Sequence, residues 1–284
     1  MAFWSLNYFV LIISLGFWSI DTTLKYFNVR ERVSTANSLL STLNRWGMNN
    51  MFGNDPDAIL LRTQDNKLTS DERYTLCVLN NILGDLVFTS DDVSQYNENE
   101  HLLYAGTFPK VKPVIHTVKE IEDEVYRVEY TVPATWKKGN RYTTYVNLAP
   151  IPRWFNMHAN DQPTVFFEAV SPLDPIDAFV WQSGAKLMLR SHQTRTFFES
   201  SNSDQSILLI GSQGHIIPGG EIEDWETDGQ AVQVKFNARR VAKSTLYFRV
   251  PATLNAPVTV NSLVTTRETI PCGNDSIIVA IVQL

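Results

Sequence analysis

Apolar and polar residues alternate with two different periods along the chain. Between about residues 30 and 105, helical stretches in which apolar side chains recur every three or four positions alternate with short apolar runs typical of strands. The clearest case is the stripe of Val33, Ala36, Leu40 and Leu43, widened by Leu39 and Trp46, which predicts an amphipathic helix of about four turns. From about residue 110 the period becomes two, as in residues 124–132, and this predicts strands with one buried face.

A second helix is predicted by its start and stop signals. Thr69 and Glu72 form a capping box, in which Thr69 is the N-cap and Glu72 bonds back to it. Apolar residues follow at helical spacing, and Gly84 is expected at C′, the position after the C-cap where glycine is favoured. Residues 86–89 then form a short apolar run that predicts a strand.

The second region predicts a β-sandwich, because its strands are short, numerous and separated by turn sequences such as Pro218-Gly219-Gly220. A domain boundary near Phe108-Pro109-Lys110 divides the chain into residues 1–109 and 110–284. The predicted strands are residues 124–132, 141–148, 164–169, 186–190, 194–199, 206–211, 231–236, 244–250, 257–260 and 276–284.

The first twenty residues carry no charged side chain, and residues 8–18 are almost continuously apolar. A secretory signal would fit the length, but no Lys or Arg precedes the run and no small-residue cleavage site follows it. A membrane span needs about 20 apolar residues, so it is the least favoured interpretation. A buried strand of a parallel sheet also gives a continuous apolar run and is favoured. The compartment, secreted or cytoplasmic, stays open.

Composition and charge narrow the range of partners. The chain has 284 residues, 44% of them hydrophobic, which is enough for one large domain or two ordinary ones. A net charge of −6 without a dense Lys/Arg block argues against nucleic-acid and anionic-membrane partners. Cys77 and Cys272 form no metal-ligand pair, and neither a metal nor a cofactor is expected. The sequon at Asn274 is weak evidence for secretion.

The candidate chemistry lies in Asn54-Asp55-Pro56-Asp57, directly before the apolar run 58–61. Pro56 fixes its own φ and biases Asp55 towards an extended conformation, so the two carboxylates are held rigidly apart. A turn that caps a buried segment would use the same residues. Asp91 and Asp92 follow the next strand-like run, and in a β/α barrel the carboxyl ends of the strands share one rim. These two aspartates could also cap the next helix.

Together these motifs resemble the last two barrel units of melibiase-type α-galactosidases, which are retaining glycoside hydrolases related to families 27 and 36. The helix that ends at Asn44-Arg45 is similar to the helix before that motif. Segments around His192 and His215 resemble the appended sandwich more weakly. The residues that carry the main resemblance are Asn54-Asp55-Pro56-Asp57-Ala58-Ile59-Leu60-Leu61-Arg62, Leu68-Thr69, Glu72, Leu83-Gly84 and Ser90-Asp91-Asp92.

The resemblance implies an α/β barrel of the (β/α)8 type followed by an all-β sandwich, and retaining hydrolysis of terminal α-galactosides. Two aspartates about 5–5.5 Å apart would act by double displacement. The Lys-x-Asp context of the family's nucleophile is not matched, and a whole barrel needs about 200 residues or more. We therefore expect residues 1–109 to be the C-terminal units of a barrel, without independent activity. Exposed apolar faces of such a remnant would favour association or oligomer formation.

The resemblance also implies roles for individual aspartates. Asp55 and Asp57, together with Asp91 and Asp92, would support the rim of the sugar pocket and would not be the catalytic pair. The acid/base aspartate is expected upstream, in an Arg-x-x-x-Asp pattern after a strand. One alignment matches neither residue of that pattern, whereas another places Asp21 at the acid position, so Asp21 is the candidate acid/base.

Two alternatives remain open. The chain could be a non-catalytic carbohydrate-binding or accessory protein, in which exposed aromatic rings on a sandwich face bind sugars. Residues 1–24 could be sequence that does not belong to the native protein. His192 and His215 lie among strands, where a lone histidine more often has a structural role than a catalytic one. The candidate sugar-stacking rings are Trp136, Trp154, Trp181 and Trp225.

Overall fold

A computed structural model describes most of the chain from residue 35 onwards. The apolar segment 1–20, Asp21, Asp57, Trp136 and the sequon residue Asn274 lie outside the described residues. The described ranges are 35–48, 51, 53–56, 58–132, 141–157, 164–169, 180–201, 206–228, 231–236, 243–254, 259–260, 264–272 and 275–283.

Helices dominate the described residues before 110. The α-helices are α1 (Thr35–Asn44), α2 (Ser70–Leu83) and α3 (Glu98–Gly106), and short 3-10 turns cover Trp46–Met48 and Val93–Gln95. In α1 the buried apolar residues are Leu39 and Leu43, whereas Leu40 is half-buried. Both buried apolar residues belong to the predicted stripe, so the buried face of this helix is confirmed within the described residues. Among the described residues, no helix is both long and apolar enough to cross a membrane.

Helix α2 is the centre of this region, because every residue from Thr75 to Leu83 is buried. Its predicted capping box is confirmed: the Thr69 hydroxyl accepts from the Glu72 N–H, and the Glu72 carboxylate accepts from the Thr69 N–H at 2.6 Å. The Thr75 hydroxyl contacts the Thr194 hydroxyl at 2.7 Å, so α2 also packs on the following sheet. A helix buried on all sides explains why its sequence lacks a clean polar face.

The predicted strand at 86–89 is wrong in extent. One parallel bridge joins Ile59 to Thr89, supported by the Ile59 N–H, which donates to the Phe88 carbonyl at 2.8 Å. Leu86 and Phe88 are about half exposed, and no other described segment pairs with them. Residues 86–89 therefore form a single parallel bridge and not the predicted strand.

The rest of the chain is β-structure. The strands are β1 (Val114–Glu122), β2 (Val125–Thr131), β3 (Arg141–Asn147), β4 (Arg153–Asn156), β5 (Thr164–Ala169), β6 (Val180–Gln182), β7 (Lys186–Leu189), β8 (Thr194–Ser201), β9 (Leu208–Ser212), β10 (Ile222–Thr227), β11 (Ala231–Phe236), β12 (Lys243–Val250), β13 (Thr259–Val260), β14 (Val264–Cys272) and β15 (Asp275–Gln283).

Two larger sheets share the main core. An antiparallel six-stranded sheet has the order β1-β2-β3-β8-β5-β6, and an antiparallel four-stranded sheet has the order β14-β15-β12-β9. Phe167 and Phe198 of the first sheet and Leu209 and Phe248 of the second belong to one buried cluster, which also includes residues of α2. This two-sheet arrangement agrees with the predicted sandwich. A barrel is not seen in the described residues, and the domain boundary at 109/110 stays a prediction.

A smaller core lies on the opposite face of the six-stranded sheet. The antiparallel ribbon β4–β7 covers this face and contributes Phe155, Leu187 and Leu189, which pack with Tyr145 and Phe197. A further small sheet has the order β10-β11-β13. The six-stranded sheet is thus buried on both faces over part of its area.

Candidate functional site

Asn54 ties the predicted acidic motif to the end of α2. Its side-chain amide donates to the Leu83 carbonyl at 3.1 Å. Its backbone N–H donates to the Asp85 carboxylate at 2.8 Å, and the Asp85 N–H donates back to the Asn54 carbonyl at 2.9 Å. Asn54 and Asp85 therefore form a closed ring of hydrogen bonds, and the Asn54 side chain gives the Leu83 carbonyl at the end of the helix a donor.

The Asp85 carboxylate was not predicted as a site residue. Burial acts to raise its pKa, but the hydrogen bonds from Lys112 and from the Asn54 N–H outweigh burial, so the pKa lies below its ordinary value. Lys112 also forms an ion pair with this carboxylate. Asp85 thus joins the acidic motif to the segment that leads into β1.

Pro56 packs against Gly84, and this contact explains the glycine. Gly84 is the C-cap of α2 and is extended (φ −91°, ψ 146°), so the expected C′ position was wrong. A Cβ atom at Gly84 would lie 2.8 Å from Pro56 Cδ and 2.5 Å from the Asn80 carbonyl oxygen. Glycine is required here because the proline ring and the helix end leave no room for a side chain.

Asp55 projects towards solvent between Asn54 and Pro56, which are both buried. Partial burial raises the pKa of its carboxyl group, and the charge of Arg45 opposes this shift. Asp57, its predicted partner, lies outside the described residues. The acidic motif therefore alternates buried structural residues with an exposed carboxylate.

The side chain of Asp91 is buried and binds backbone groups. One carboxylate oxygen accepts from the Leu61 N–H at 2.6 Å, from the Arg62 N–H at 3.1 Å and from the Tyr96 hydroxyl at 2.8 Å. The other oxygen lies 3.6 Å from the Arg62 Nε atom. Asp91 thus joins the ends of the two strand-like runs, directly after the Ile59–Thr89 bridge.

Asp92 has a separate, local role. It is the N-cap of the turn Val93–Gln95, and its carboxylate accepts from the Ser94 hydroxyl, the Ser94 N–H and the Gln95 side chain. These hydrogen bonds lower the pKa of this exposed carboxyl group. The capping alternative is therefore confirmed for Asp92, and the pocket-rim role of all four aspartates stays a prediction.

Glu100 is a second buried carboxylate that the sequence analysis did not identify. It accepts from the Thr63 N–H at 2.5 Å and the Thr63 hydroxyl at 2.8 Å, and it completes a capping box with Asn97 at the start of α3. Burial acts to raise its pKa, but the hydrogen bonds from Asn97 and Thr63 outweigh it and lower the pKa. The signal was available, since Asn97 and Glu100 have capping-box spacing.

His215 lies at the junction between the helical region and the sheets. The Ile217 N–H donates to His215 Nδ1 at 2.9 Å, so Nε2 carries the proton and donates to the Pro109 carbonyl at 2.8 Å. The neighbouring Ile216 N–H donates to the Gly106 carbonyl at 2.8 Å. The ring is fully buried, and its contacts agree with the expected structural role.

The loop that carries His215 ends at a buried carboxylate, Glu221. It accepts from the Ser212 hydroxyl at 2.9 Å, the Ser244 hydroxyl at 2.7 Å and the Gly214 N–H at 3.0 Å. Burial raises the pKa of Glu221 in spite of these hydrogen bonds. Across the described residues, no group of three or more His, Cys, Asp or Glu side chains is arranged to hold a metal ion.

The sequence matches no protein-family model, and no curated protein matches it significantly. Several solved structures of glycoside hydrolases are similar to it, and the chain spans about half the length of each of the three described next. A proposed α-N-acetylgalactosaminidase from Bacillus halodurans is 17% identical, with a TM-score of 0.43, 59% of this chain covered and 45% of that chain. α-Galactosidase from Saccharomyces cerevisiae is 11% identical, with a TM-score of 0.41 and coverages of 58% and 51%.

α-Galactosidase I from Mortierella vinacea is 7% identical, with a TM-score of 0.40 and coverages of 61% and 46%. All three TM-scores are below 0.5, so these similarities do not assign a function to this chain.

Proposed function

We propose that this chain is part of a retaining glycoside hydrolase of the α-galactosidase type. In this proposal the described residues before 110 are the last units of a (β/α)8 barrel, and the sheets are its C-terminal sandwich. The observation that carries the proposal is the parallel Ile59–Thr89 bridge, whose two segments are connected through helix α2. A parallel pair with a helical crossover is the repeating unit of such a barrel.

The polar contacts after this bridge support the proposal. Active sites of β/α barrels are built by the loops that follow the carboxyl ends of the strands. Here the Asp91 carboxylate joins the backbone of Leu61 and Arg62 to the loop after Thr89. The two loops are therefore held together at the edge where a sugar pocket would lie, with Asp91 as a positioning residue.

The exposed apolar residues of this region agree with the same proposal. Leu86 and Phe88 are 52% and 49% exposed, whereas Val87 between them packs against the main core. Further barrel units would cover the exposed side chains. Where such units are missing, we expect these residues to promote association, which light scattering would detect.

The two reacting carboxylates are not assigned to described residues. Asp21 is the proposed acid/base, and the nucleophile would come from a strand with a Lys-x-Asp sequence that the 284 residues lack. Without a nucleophile the covalent route is lost, so we expect no turnover from this chain alone.

The decisive experiment compares two proteins on an aryl α-galactoside. The 284-residue chain should be inactive. A longer chain, extended by any upstream coding sequence that supplies Lys-x-Asp and Arg-x-x-x-Asp strands in register, should turn over the substrate. Turnover by the short chain that Asp21→Asn abolishes would contradict the need for an external nucleophile. An upstream sequence without these strands would contradict the hydrolase proposal itself.

A non-catalytic carbohydrate-binding protein is the second candidate function. One observation favours it: Trp154 is 55% exposed on the ribbon β4–β7. Titration calorimetry with galactose and raffinose separates the two candidates, because binding without hydrolysis in both the short and the extended chain favours the second.

A further inference from the structure

The ribbon β4–β7 has one buried and one exposed face. Phe155, Leu187 and Leu189 point into the smaller core and are buried. Because side chains alternate along a strand, the residues between them share the opposite face. That face, called here the Trp154 platform, consists of Trp154, Asn156, Lys186 and Met188, and all four residues are exposed.

Trp154 differs in its surroundings from another tryptophan of the sheets. Trp225 on β10 packs against the main core, with its ring 6.1 Å from that of Phe248. Trp154 instead pairs across the ribbon with Met188, which is itself 37% exposed. An exposed indole beside an exposed thioether keeps a large apolar area in water, and such area commonly marks a binding site.

Two polar side chains, those of Lys186 and Asn156, accompany this apolar area. The Lys186 Nζ atom lies 5.3 Å from the centre of the Trp154 ring, a cation–π distance that restrains the indole. Asn156 is directly opposite Lys186 in the register of the ribbon. The platform therefore offers an ammonium donor and an amide that can both donate and accept, next to one flat ring.

We propose that the Trp154 platform binds the pyranose ring of a neutral carbohydrate. A pyranose presents C–H groups on one face and hydroxyl groups around its edge. The C–H face would take the place of the Lys186 ammonium over the indole, and this ammonium and the Asn156 amide would then bind hydroxyl groups at the edge of the sugar. Arg153, on the other face of the ribbon, already pairs with Asp123 at 2.5 Å and leaves Lys186 as the cation of the platform.

The size of the platform favours a sugar over a protein partner. A buried tryptophan contributes about 150–250 Å², so Trp154 and Met188 together expose on the order of 200 Å². A stable protein–protein interface needs about 800 Å² from each partner. One pyranose ring fits the smaller area, and a second copy of this chain does not. The inference specifies the site for the second candidate function and is independent of hydrolysis.

The experiment follows the indole N–H signals of the full chain by NMR while methyl α-galactopyranoside, raffinose or galactomannan is added, with calorimetry for affinity. Trp154→Phe assigns the Trp154 signal and retains a ring. We expect this signal to shift on addition of at least one of these sugars, with an association constant that falls about tenfold in Trp154→Ala and about threefold or less in Trp154→Phe. Lys186→Met and Asn156→Ala should each lower the association constant several-fold.

Ile151→Ala is the matched control, because Ile151 is equally exposed at 51% but lies outside the platform. Its binding should equal that of the unmodified chain. The proposal fails if none of the three carbohydrates shifts the Trp154 signal, or if Trp154→Ala binds as well as the control. It also fails if Trp154→Ala converts an oligomer to a monomer, which would make the platform a protein interface. Absence of hydrolysis would leave these outcomes unchanged.

Discussion

The helical region and the sheets use buried carboxylates in different ways. In the helical region, Asp91 and Glu100 accept hydrogen bonds from backbone N–H groups of the segment 61–63. On the six-stranded sheet, Glu129 is buried between Arg127 at 2.8 Å and Arg141 at 2.5 Å. The first arrangement gives hydrogen-bond acceptors to loop N–H groups that have no strand partner. The second pairs charged side chains on a sheet whose backbone groups are already hydrogen-bonded.

This difference shows what an acidic residue beside an apolar run can mean. An isolated bridge such as Ile59–Thr89 leaves neighbouring N–H groups without sheet partners, and buried N–H groups must be satisfied. A carboxylate in the adjacent loop meets that need. Acidic residues near such runs are therefore structural by default, even where a catalytic rim is also expected.

The largest effect is expected for Asp91→Ala. The substitution removes the acceptor of three hydrogen bonds and leaves the Leu61 and Arg62 N–H groups buried without it. The free energy of unfolding should fall by about 3–5 kcal/mol, because three donors lose a charged acceptor. Urea denaturation of the full chain would measure this loss.

Asp92→Ala is the matched control for that experiment, since it removes the neighbouring but exposed carboxylate. Its hydrogen bonds stay within the turn Val93–Gln95, so the loss of stability should be much smaller. Equal losses for the two variants would contradict the distinction between a loop-joining and a local carboxylate.

The second-largest effect is expected for Gly84→Ala, which tests the contact between the acidic motif and α2. Gly84→Ala places a methyl group against the Pro56 ring and the Asn80 carbonyl, and the free energy of unfolding should fall by about 1–3 kcal/mol. Gly47→Ala is the control, because a Cβ at Gly47 meets nothing within 4 Å. Thermal unfolding of both variants, and of Gly84→Ala combined with Pro56→Ala, would measure the effect. Full stability of Gly84→Ala would rule out the close contact.

The third test compares pH dependence in the two regions. The pKa of Glu221 is raised, so the folded chain keeps this proton to a higher pH than the unfolded chain, and stability falls as pH rises above the ordinary value of 4.5. Glu221→Gln cannot ionise, and its stability relative to the unmodified chain should rise over that window.

Asp85 should show the opposite sign. Its lowered pKa gives stability that is present above the ordinary value of 3.8 and is lost as pH falls through the folded value. The advantage of the unmodified chain over Asp85→Asn should therefore shrink in acid. Urea midpoints between pH 3 and pH 8 would test both variants, and parallel curves for either pair would contradict its shift.

The smallest effect is expected at the surface ion pair between the regions. Arg190, after β7, donates to both carboxylate oxygens of Asp71 in the first turn of α2, at 2.9 and 3.0 Å. The Arg190 side chain is 61% exposed, so Arg190→Ala should lower the free energy of unfolding by less than about 1 kcal/mol, and by less still at high salt. A loss that is large and independent of salt would show that packing, not charge, joins the two regions here.

Patterns of neighbouring residues, such as capping boxes and alternating polarity, predicted several helices and strands. The capping box at Thr69 gave the start of α2, and alternation gave β2 and β3 to within a residue or two. Strand β1 was missed because its exposed and half-buried residues do not alternate and two register shifts interrupt it. Strands β4, β6, β10 and β14 were also missed, as was helix α3.

The contacts of the candidate site could not be predicted in the same way. Asp91 bonds to residues about 30 positions away, and the requirement for Gly84 comes from Pro56, 28 positions before it along the chain. No periodicity or local motif encodes such pairs. The family resemblance gave candidate residues, but it did not show that Asn54 and Pro56 are buried while Asp55 is exposed.

The buried His215 has a consequence for domain shuffling. Its ring and the adjacent Ile216 bind the carbonyl groups of Pro109 and Gly106, so the sheets hold the last residues of the preceding region as part of their own structure. A gene fusion that joins this sandwich to another module at residue 110 would discard both carbonyl groups. A fusion that begins at α3 would retain the carbonyl groups of Gly106 and Pro109, so the start of α3 is the better point for recombination.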